Sequence, residues 1–257
     1  MILDKFRLDG QTALVTGAGR GIGAGIARAF AEAGADVVCA ARTREQVEET
    51  CRAVEACGRR ALAVTCDVTR REELEALVAA ALAAFGRIDI LVNNAGGFPP
   101  TPFLRTSERA FEEALRFNLT SAFLLSRLVV PAMLERGEGA IVNISSAAGR
   151  LAMPNFVAYG TAKAALSFMS RELACELAPQ VRVNAIAVGS VETSALAPFL
   201  DAAARAKMEA LTPMRRLGQV EDIAAAALYL ASPAGSFVTG KVLEVDGGTE
   251  HSNWPFD

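Results

Sequence analysis

The sequence predicts an α/β protein built on one doubly wound parallel sheet of about seven strands, with helices on both faces. Short, continuously apolar runs alternate with longer segments of helical periodicity along the whole chain. Strands that are apolar at every position are those buried on both faces of a parallel sheet. Right-handed crossovers then lay successive strands side by side. No repeat, low-complexity tract or linker interrupts the 257 residues, so residues 1–257 are expected to form one domain.

Taken in order, Thr12 to Thr16 reads as a buried strand and Ile22 to Ala33 as a helix stopped by Gly34. Asp36 to Ala41 is the second strand, and Arg44 to Cys57 an amphipathic helix ending at Gly58. Ala61 to Cys66 and Arg70 to Phe85 form the next pair, stopped by Gly86. Glycine just past a periodic segment is a helix C-terminal signal. Asp89 to Val92 is the fourth strand, and Glu108 to Glu135 is helical with a break near Asn118. Ala140 to Ile144, the long helix Val157 to Leu177, Val181 to Ile186, the helix Asp222 to Leu230 and Lys241 to Val245 complete the series. Pro99, Pro100 and Pro102 mark a surface loop.

Composition removes several functional classes. A net charge of −3, with Lys and Arg dispersed, gives no support to binding nucleic acid or an anionic membrane. Met1 to Gly10 mixes Asp4, Lys5, Arg7 and Asp9 and has no apolar core of a signal peptide. Apolar runs such as Ala76 to Phe85 fall short of the ~20 residues that span a bilayer. A soluble, cytoplasmic protein is expected. The cysteines at 39, 51, 57, 66 and 175 are odd in number and contain no CxxC pair, so free, mostly buried thiols are expected. His251 is the single histidine. Neither Ser-His-Asp hydrolysis nor a zinc dehydrogenase has its parts here, and no metal is expected.

The turn Thr16-Gly17-Ala18-Gly19-Arg20-Gly21-Ile22-Gly23 follows the first strand and opens the first helix. Its glycines let the backbone approach a pyrophosphate, which the free N–H groups and dipole of a helix N-terminus then hold. The position makes this a Rossmann-type dinucleotide turn. The nucleotide is chosen at the end of the second strand, where an Asp or Glu would bind the ribose 2′-hydroxyl of NAD. This chain has Ala40-Ala41-Arg42 instead. Arg42 suits a 2′-phosphate, with Arg20 clamping from the turn, because planar guanidinium forks match phosphate geometry. NADP(H) is therefore expected over NAD(H), although two solvated arginines would fit the same sequence.

Tyr159 and Lys163 lie four residues apart on one predicted helix, hence on one face. A neighbouring ammonium favours the phenolate and lowers the phenol pKa from ~10, which suits a tyrosine that exchanges the proton accompanying hydride transfer. The same spacing also fits a plain surface pair. Against that, the chain has two tyrosines, and Ser145-Ser146 precedes this helix at a carboxyl strand end, where ligands bind in such sheets.

With Thr16-Gly-x-x-x-Gly-x-Gly23, Asn93-Asn-Ala-Gly96, Asn118, Ser146 and Tyr159-x-x-x-Lys163 in order, the chain from about Leu8 to Gly248 resembles the short-chain dehydrogenase/reductase family. The resemblance implies that Ser146 binds the substrate oxygen, Tyr159 is the general acid/base, and Lys163 holds the nicotinamide ribose and tunes the phenol. It also implies that Asn118 breaks its helix and positions a proton-relaying water. Ser146 is preferred to Ser145 for its thirteen-residue lead on Tyr159. Asp67 and Val68 would meet the adenine. Asn93 would support the central strand, and Asn94, Ala95 and Gly96 the cofactor's ribose. Val191 and Thr193 would meet the nicotinamide amide and phosphates. Val188 stands where the family usually has proline, which implies a looser segment there.

The substrate lid is expected at about residues 190–215. Leu196, Phe199, Leu200, Met208, Leu211 and Met214 have helical spacing there, which suits core packing for most of them and a pocket lining for the rest. Phe98, Met153 and Phe156 are further apolar candidates, and together they suit a bulky apolar alcohol or ketone. Asp89-Ile-Leu-Val-Asn-Asn-Ala-Gly-Gly97 and Thr212-Pro-Met-Arg-Arg-Leu-Gly218 are similar to bacterial hydroxysteroid dehydrogenases, particularly the 7α type. A 3-oxoacyl-carrier-protein reductase is similar too, and Arg105 and Arg109 would be its basic rim. A non-catalytic NADP(H)-binding sensor is the reading of another class, but such proteins usually lack the tyrosine or lysine. The family resemblance also implies a homotetramer.

Overall fold

The structure, a computed structural model, describes residues 1–194, 196, 197 and 200–255. Strands β1 (Thr12–Thr16), β2 (Asp36–Ala41), β3 (Ala61–Thr65), β4 (Ile90–Asn93), β5 (Gly139–Ser146), β6 (Val181–Val188) and β7 (Val242–Val245) form one seven-stranded sheet. Every pairing is parallel and the order is β3-β2-β1-β4-β5-β6-β7. The chain winds outward from β1 to β3, then returns past β1 to β4 and winds the other way. That reversal opens a crevice at the carboxyl ends of β1 and β4.

The helices are α1 (Gly21–Glu32), α2 (Arg44–Ala56), α3 (Arg71–Phe85), α4 (Glu108–Leu115), α5 (Ser121–Arg136), α6 (Val157–Leu177), α7 (Ala202–Leu211) and α8 (Val220–Ala231). Strand alternation splits the core into two layers. Ala13, Val15, Val37 and Cys39 meet Phe30 of α1, Val54 of α2 and Ile223 of α8 on one face. Leu14, Val38 and Leu91 meet Leu77 of α3 and Val129 of α5 on the other. All of these side chains are buried.

Asn118 sits within a π turn, Arg116–Thr120, between α4 and α5. The expected break is thus a one-turn widening, which leaves the helical path nearly continuous. The stretch Glu108–Arg136 is long and apolar enough to cross a membrane by length and composition, more than its separate apolar runs suggested. Here Leu125, Val129 and Met133 are packed into the core. The lid segment contains α7, whose first turn is capped by Asp201 accepting from the Ala204 amide at 2.7 Å. Its expected core packing holds for Met208, which is buried, but Leu211 and Met214 are exposed. Phe199 lies outside the described residues.

A polar chain runs through the sheet's centre. Asn93 Nδ2 on β4 donates to Asn143 Oδ1 on β5 at 2.8 Å and to Ser126 Oγ at 3.2 Å. Asn143 Nδ2 donates to Ser170 Oγ on α6 at 2.8 Å. These buried amides have apolar neighbours, so each lost partner exposes a full desolvation penalty. An Asn143→Ala variant is expected to lose about 1–3 kcal/mol. Thermal unfolding should show it as a melting temperature lower by roughly 3–10 °C for a domain of this size; a shift under about 1 °C would show the chain to be dispensable.

Candidate active site

The glycine turn closes on itself with no room for a side chain at Gly17 or Gly23. A Cβ on Gly23 would stand 2.2 Å from the Gly17 carbonyl oxygen, and one on Gly17, whose φ is +63°, would stand 2.6 Å from Asn94 Nδ2. Asn94 Nδ2 donates to the carbonyls of Thr16 (2.8 Å) and Gly17 (3.2 Å). The Thr16 hydroxyl accepts from the amides of Asn94 (3.0 Å) and Ala95 (3.1 Å) and donates to the Val92 carbonyl at 3.2 Å. Asn94 therefore braces the turn from across the switch point, and Thr16 does half of that work. The first turn of α1 has no side-chain cap, so its free N–H groups suit an anion.

A cleft of about 720 Å³ lies along this edge. Gly17, Gly19, Arg20, Gly21, Ile22 and Gly23 line it, as do Arg42, Asp67, Val68, Asn94, Ala95 and Gly96. Ser146, Tyr159, Lys163, Val191 and Thr193 complete the expected set. Arg20 and Arg42 are exposed, and neither forms a salt bridge among the described residues. Arg42 lies 6.0 Å from the Phe117 ring centroid. Burial pushes the Asp67 carboxyl up, but hydrogen bonds from Thr69 and the charge of Arg42 leave it below its usual range.

Deeper in the cleft, α6 presents Tyr159 and Lys163 toward the end of β5. Lys163 is buried, its Nζ donating to the Ile144 carbonyl at 2.8 Å and standing 5.6 Å from the Tyr159 ring centroid. Burial pulls its ammonium down to about 8. Burial also pushes the Tyr159 phenol above its ordinary value, opposed by a hydrogen bond with Ser146. Geometry thus brings the pair together, but the lysine does not depress the phenol in the protein alone. Ser145 points the other way, its Oγ donating to the Lys163 carbonyl at 2.9 Å and lying 2.8 Å from Ser167 Oγ. The two serines divide their tasks by strand alternation: Ser145 anchors α6 and Ser146 faces the cleft.

A family model described as enoyl-(acyl carrier protein) reductase matches residues 17–250. The chain is 44% identical over 246 residues to a 7α-hydroxysteroid dehydrogenase of Escherichia coli, covering 95% of this chain and 96% of that one. The chain belongs to the short-chain dehydrogenase/reductase family. Among solved structures, a 7α-hydroxysteroid dehydrogenase complexed with NADH and 7-oxo glycochenodeoxycholic acid superposes with a TM-score of 0.94 at 43% identity, over 97% of this chain and 98% of that one. A gluconate 5-dehydrogenase from Burkholderia cenocepacia, in complex with NADP and tartrate, gives 0.91 at 37% identity, over 96% of this chain and 98% of that one.

In this short-chain dehydrogenase/reductase, Asn118 lies behind the cleft wall. Its Oδ1 accepts from the Gly97 amide at 2.8 Å, and its Nδ2 donates to the carbonyls of Gly97 (3.1 Å) and Ala114 (3.0 Å). Both amide hydrogens are taken by peptide groups, so its side chain clamps Gly97 and leaves no side-chain donor for a relay water. Strand β6 runs through Val188, and the Gly189 amide donates to the Val245 carbonyl at 3.0 Å. Among the described residues no cluster of His, Cys, Asp or Glu is placed to hold a metal.

The substrate half of the cleft is lined by Phe98, Met153, Phe156 and Leu196, as the sequence suggested, and also by Asn253 and Trp254 of the C-terminal tail. Nothing in the local sequence pattern places those last two, because their position depends on where the tail runs. Gly96 shows how closely the parts are fitted: a Cβ there would lie 2.7 Å from Asn118 Oδ1 and 2.9 Å from Lys163 Nζ. A Gly96→Ala variant is expected to fold but to displace the lysine. Its kcat/KM should fall by at least about 100-fold, since small misplacements at a reacting centre are that damaging. Wild-type kinetics would show that this tight fit is immaterial.

Proposed function

We propose that the chain is an NADP(H)-dependent oxidoreductase that interconverts a secondary alcohol and a ketone, on a bulky apolar substrate such as a hydroxysteroid. The observation that carries the chemistry is the Tyr159 phenol, hydrogen-bonded with Ser146 beside the buried Lys163. Bound NADP(H) would supply or accept the hydride. The glycine turn and the uncapped start of α1 fit its pyrophosphate, and Lys163 would hold its nicotinamide ribose. Ser146 would hold the substrate oxygen by its hydroxyl. Tyr159 would give that oxygen a proton during reduction and take it back during oxidation. Lys163 would be the positive charge that stabilises the phenolate between the two.

The nucleotide preference rests on Arg42 and Arg20, which line the cleft outside any salt bridge among the described residues, and on the lack of an acid at the end of β2. The related structures hold either NADH or NADP, so this chain's own residues carry the choice. The substrate reading is supported by the apolar far half of the cleft and by likeness to hydroxysteroid dehydrogenases. A carrier-protein reductase would need cations at the rim, whereas Arg109 is paired with Glu113 at 2.7 Å. A non-catalytic sensor would have no use for the Tyr159, Ser146 and Lys163 set. Exposed Phe123 and Leu134 on α5 and Val157 and Phe168 on α6 support a homotetramer built across these helices. Free thiols at Cys39, Cys51 and Cys66 fit a cytoplasmic setting.

Replacing Arg42 with Asp is expected to weaken NADPH by about 10- to 100-fold, the loss of a charge-assisted pair, and to invert the NADPH/NADH ratio of kcat/KM; an unchanged ratio would remove Arg42 from the argument. Tyr159→Phe should lower kcat by at least about 100-fold while NADPH still binds, which fluorescence titration can check.

The pH dependence follows from the raised phenol. Reduction uses the protonated form, present throughout the neutral range, and should be flat from about pH 6 up to the Lys163 value of about 8. Oxidation uses the phenolate, whose fraction grows with pH, and should rise over the same interval. Two parallel profiles would contradict the assignment.

A further inference from the structure

Among the described residues, the charged side chains lining the cleft are Arg20, Arg42, Asp67 and Lys163. The first three belong to its nucleotide end and the last to its catalytic floor. The described residues of the substrate half carry no charge, and this half is closed by a piece of chain remote in sequence. Beyond β7, Gly247 and Gly248 adopt left-handed φ values of +70° and +79°, and the tail turns back across the end of α7. Asn253 is buried. Its Oδ1 accepts from Ser190 Oγ at 2.9 Å, and its Nδ2 donates to Thr212 Oγ1 at 3.0 Å. One amide thus ties the tail both to the loop after β6 and to the residue that ends α7. Lys207 Nζ on α7 adds a bond to the Pro255 carbonyl at 2.9 Å.

This anchoring sets the next residue. The Trp254 ring meets the Phe156 ring edge-on, with centroids 5.2 Å apart and planes at 87°. Phe156 in turn stands 6.1 Å from the ring of Tyr159. Such tilted aromatic pairs hold each other's orientation. The indole is part-buried and lines the cleft, so it presents a flat apolar surface one aromatic ring removed from the phenol.

We propose that Trp254 is a specificity-determining residue: with Phe156 it forms a rigid aromatic wall that selects an uncharged, fused-ring alcohol or ketone, and Asn253 is the positioning residue that holds the wall in place. The proposal rests on the alcohol/ketone reading above. A flat alicyclic ring system stacked on the wall reaches Ser146 and Tyr159 with one of its oxygens. A small acyclic ketone touches the wall little and gains little from it. An acidic group near the reacting oxygen has no cation in this half to meet it.

Trp254 is the single tryptophan of the chain, so intrinsic fluorescence reads this position alone. Wild-type protein is titrated with NADPH and then with an unreactive fused-ring alcohol. Reduced nicotinamide absorbs where indole emits, so NADPH is expected to quench the emission, and the alcohol to change it further at concentrations matching its inhibition constant. In kinetics on fused-ring and small acyclic ketones, Trp254→Ala is expected to raise KM for the ring ketone by about tenfold or more, with a smaller change in kcat. Selectivity for ring over acyclic ketone should fall by a similar factor. Trp254→Phe should restore most of the loss, and Asn253→Ala should reproduce it in part.

If the wild type reduces the ring ketones and Trp254→Ala keeps its KM within about twofold, the role of Trp254 is wrong while the substrate reading stands. Saturating alcohol that leaves the indole emission unmoved is equally against it. If the wild type reduces acyclic ketones but no ring ketone, the substrate reading falls and the proposal with it.

Discussion

The site depends on a buried ammonium held in one place. Lys163 Nζ donates to the Ile144 carbonyl, and burial already pulls its pKa to about 8. A cation in such surroundings stays only where its supports are fixed. Ser145 fastens the backbone of α6 at Lys163 to β5. The missing side chain at Gly96 leaves the space the ammonium uses. Asn118, in its π turn, pins the neighbouring Gly97 by both amide and carbonyl. Three elements distant in sequence therefore converge on one charge, and the phenol beside it inherits their rigidity.

That arrangement explains an apparent contradiction between sequence and structure. Tyr and Lys one helical turn apart suggest a depressed phenol, yet burial acts oppositely on the two groups: it raises the acid and lowers the cation. In the protein alone both groups are pushed toward their neutral forms. A second positive charge in the cleft would reverse the balance for the phenol, so its acidity becomes conditional on the cofactor's redox state. The fold holds the residues ready, and the nucleotide completes the electrostatics.

Regular elements were legible because they are governed by local rules. The bounds of β2 and α6 follow from apolar runs and glycine or proline punctuation, and the helix break at Asn118 was legible as a disruption although not as a π turn. The glycine turn, Arg42, Ser146, Tyr159 and Lys163 could be placed because each sits at a strand end or on a helix face that periodicity defines. Other parts had no local signal. The Ile144 carbonyl that holds Lys163 is main chain and carries no residue identity. The resemblance implied a water positioned by Asn118; only the approach of Gly97 shows what the side-chain amide itself holds. Helical spacing across the lid suited core packing for most of its apolar residues, but Leu211 at the end of α7 and Met214 beyond it remain exposed.

The same division runs along the cleft itself. At the nucleotide end, Arg20 and Arg42 are exposed and unpaired among the described residues, on either side of an uncapped helix start. Exposed guanidinium groups keep their solvation until a phosphate replaces it, so anion binding there requires little rearrangement. At the opposite end, among the described residues, the one charged lining side chain is the buried lysine, and Phe98, Met153, Phe156, Leu196 and Trp254 supply apolar wall. A ketone oxygen enters a region where hydrogen bonds are strong because water is scarce. The N-terminal half of the sequence supplies most of the first end. The second adds the loop after β6 and the tail to Phe98, Met153 and Phe156, and Asn253 ties that loop and the end of α7 to the tail. Segments joined by a few side-chain hydrogen bonds can change their lining without disturbing the sheet. Substrate choice can therefore vary in this architecture while the proton-transfer apparatus stays fixed.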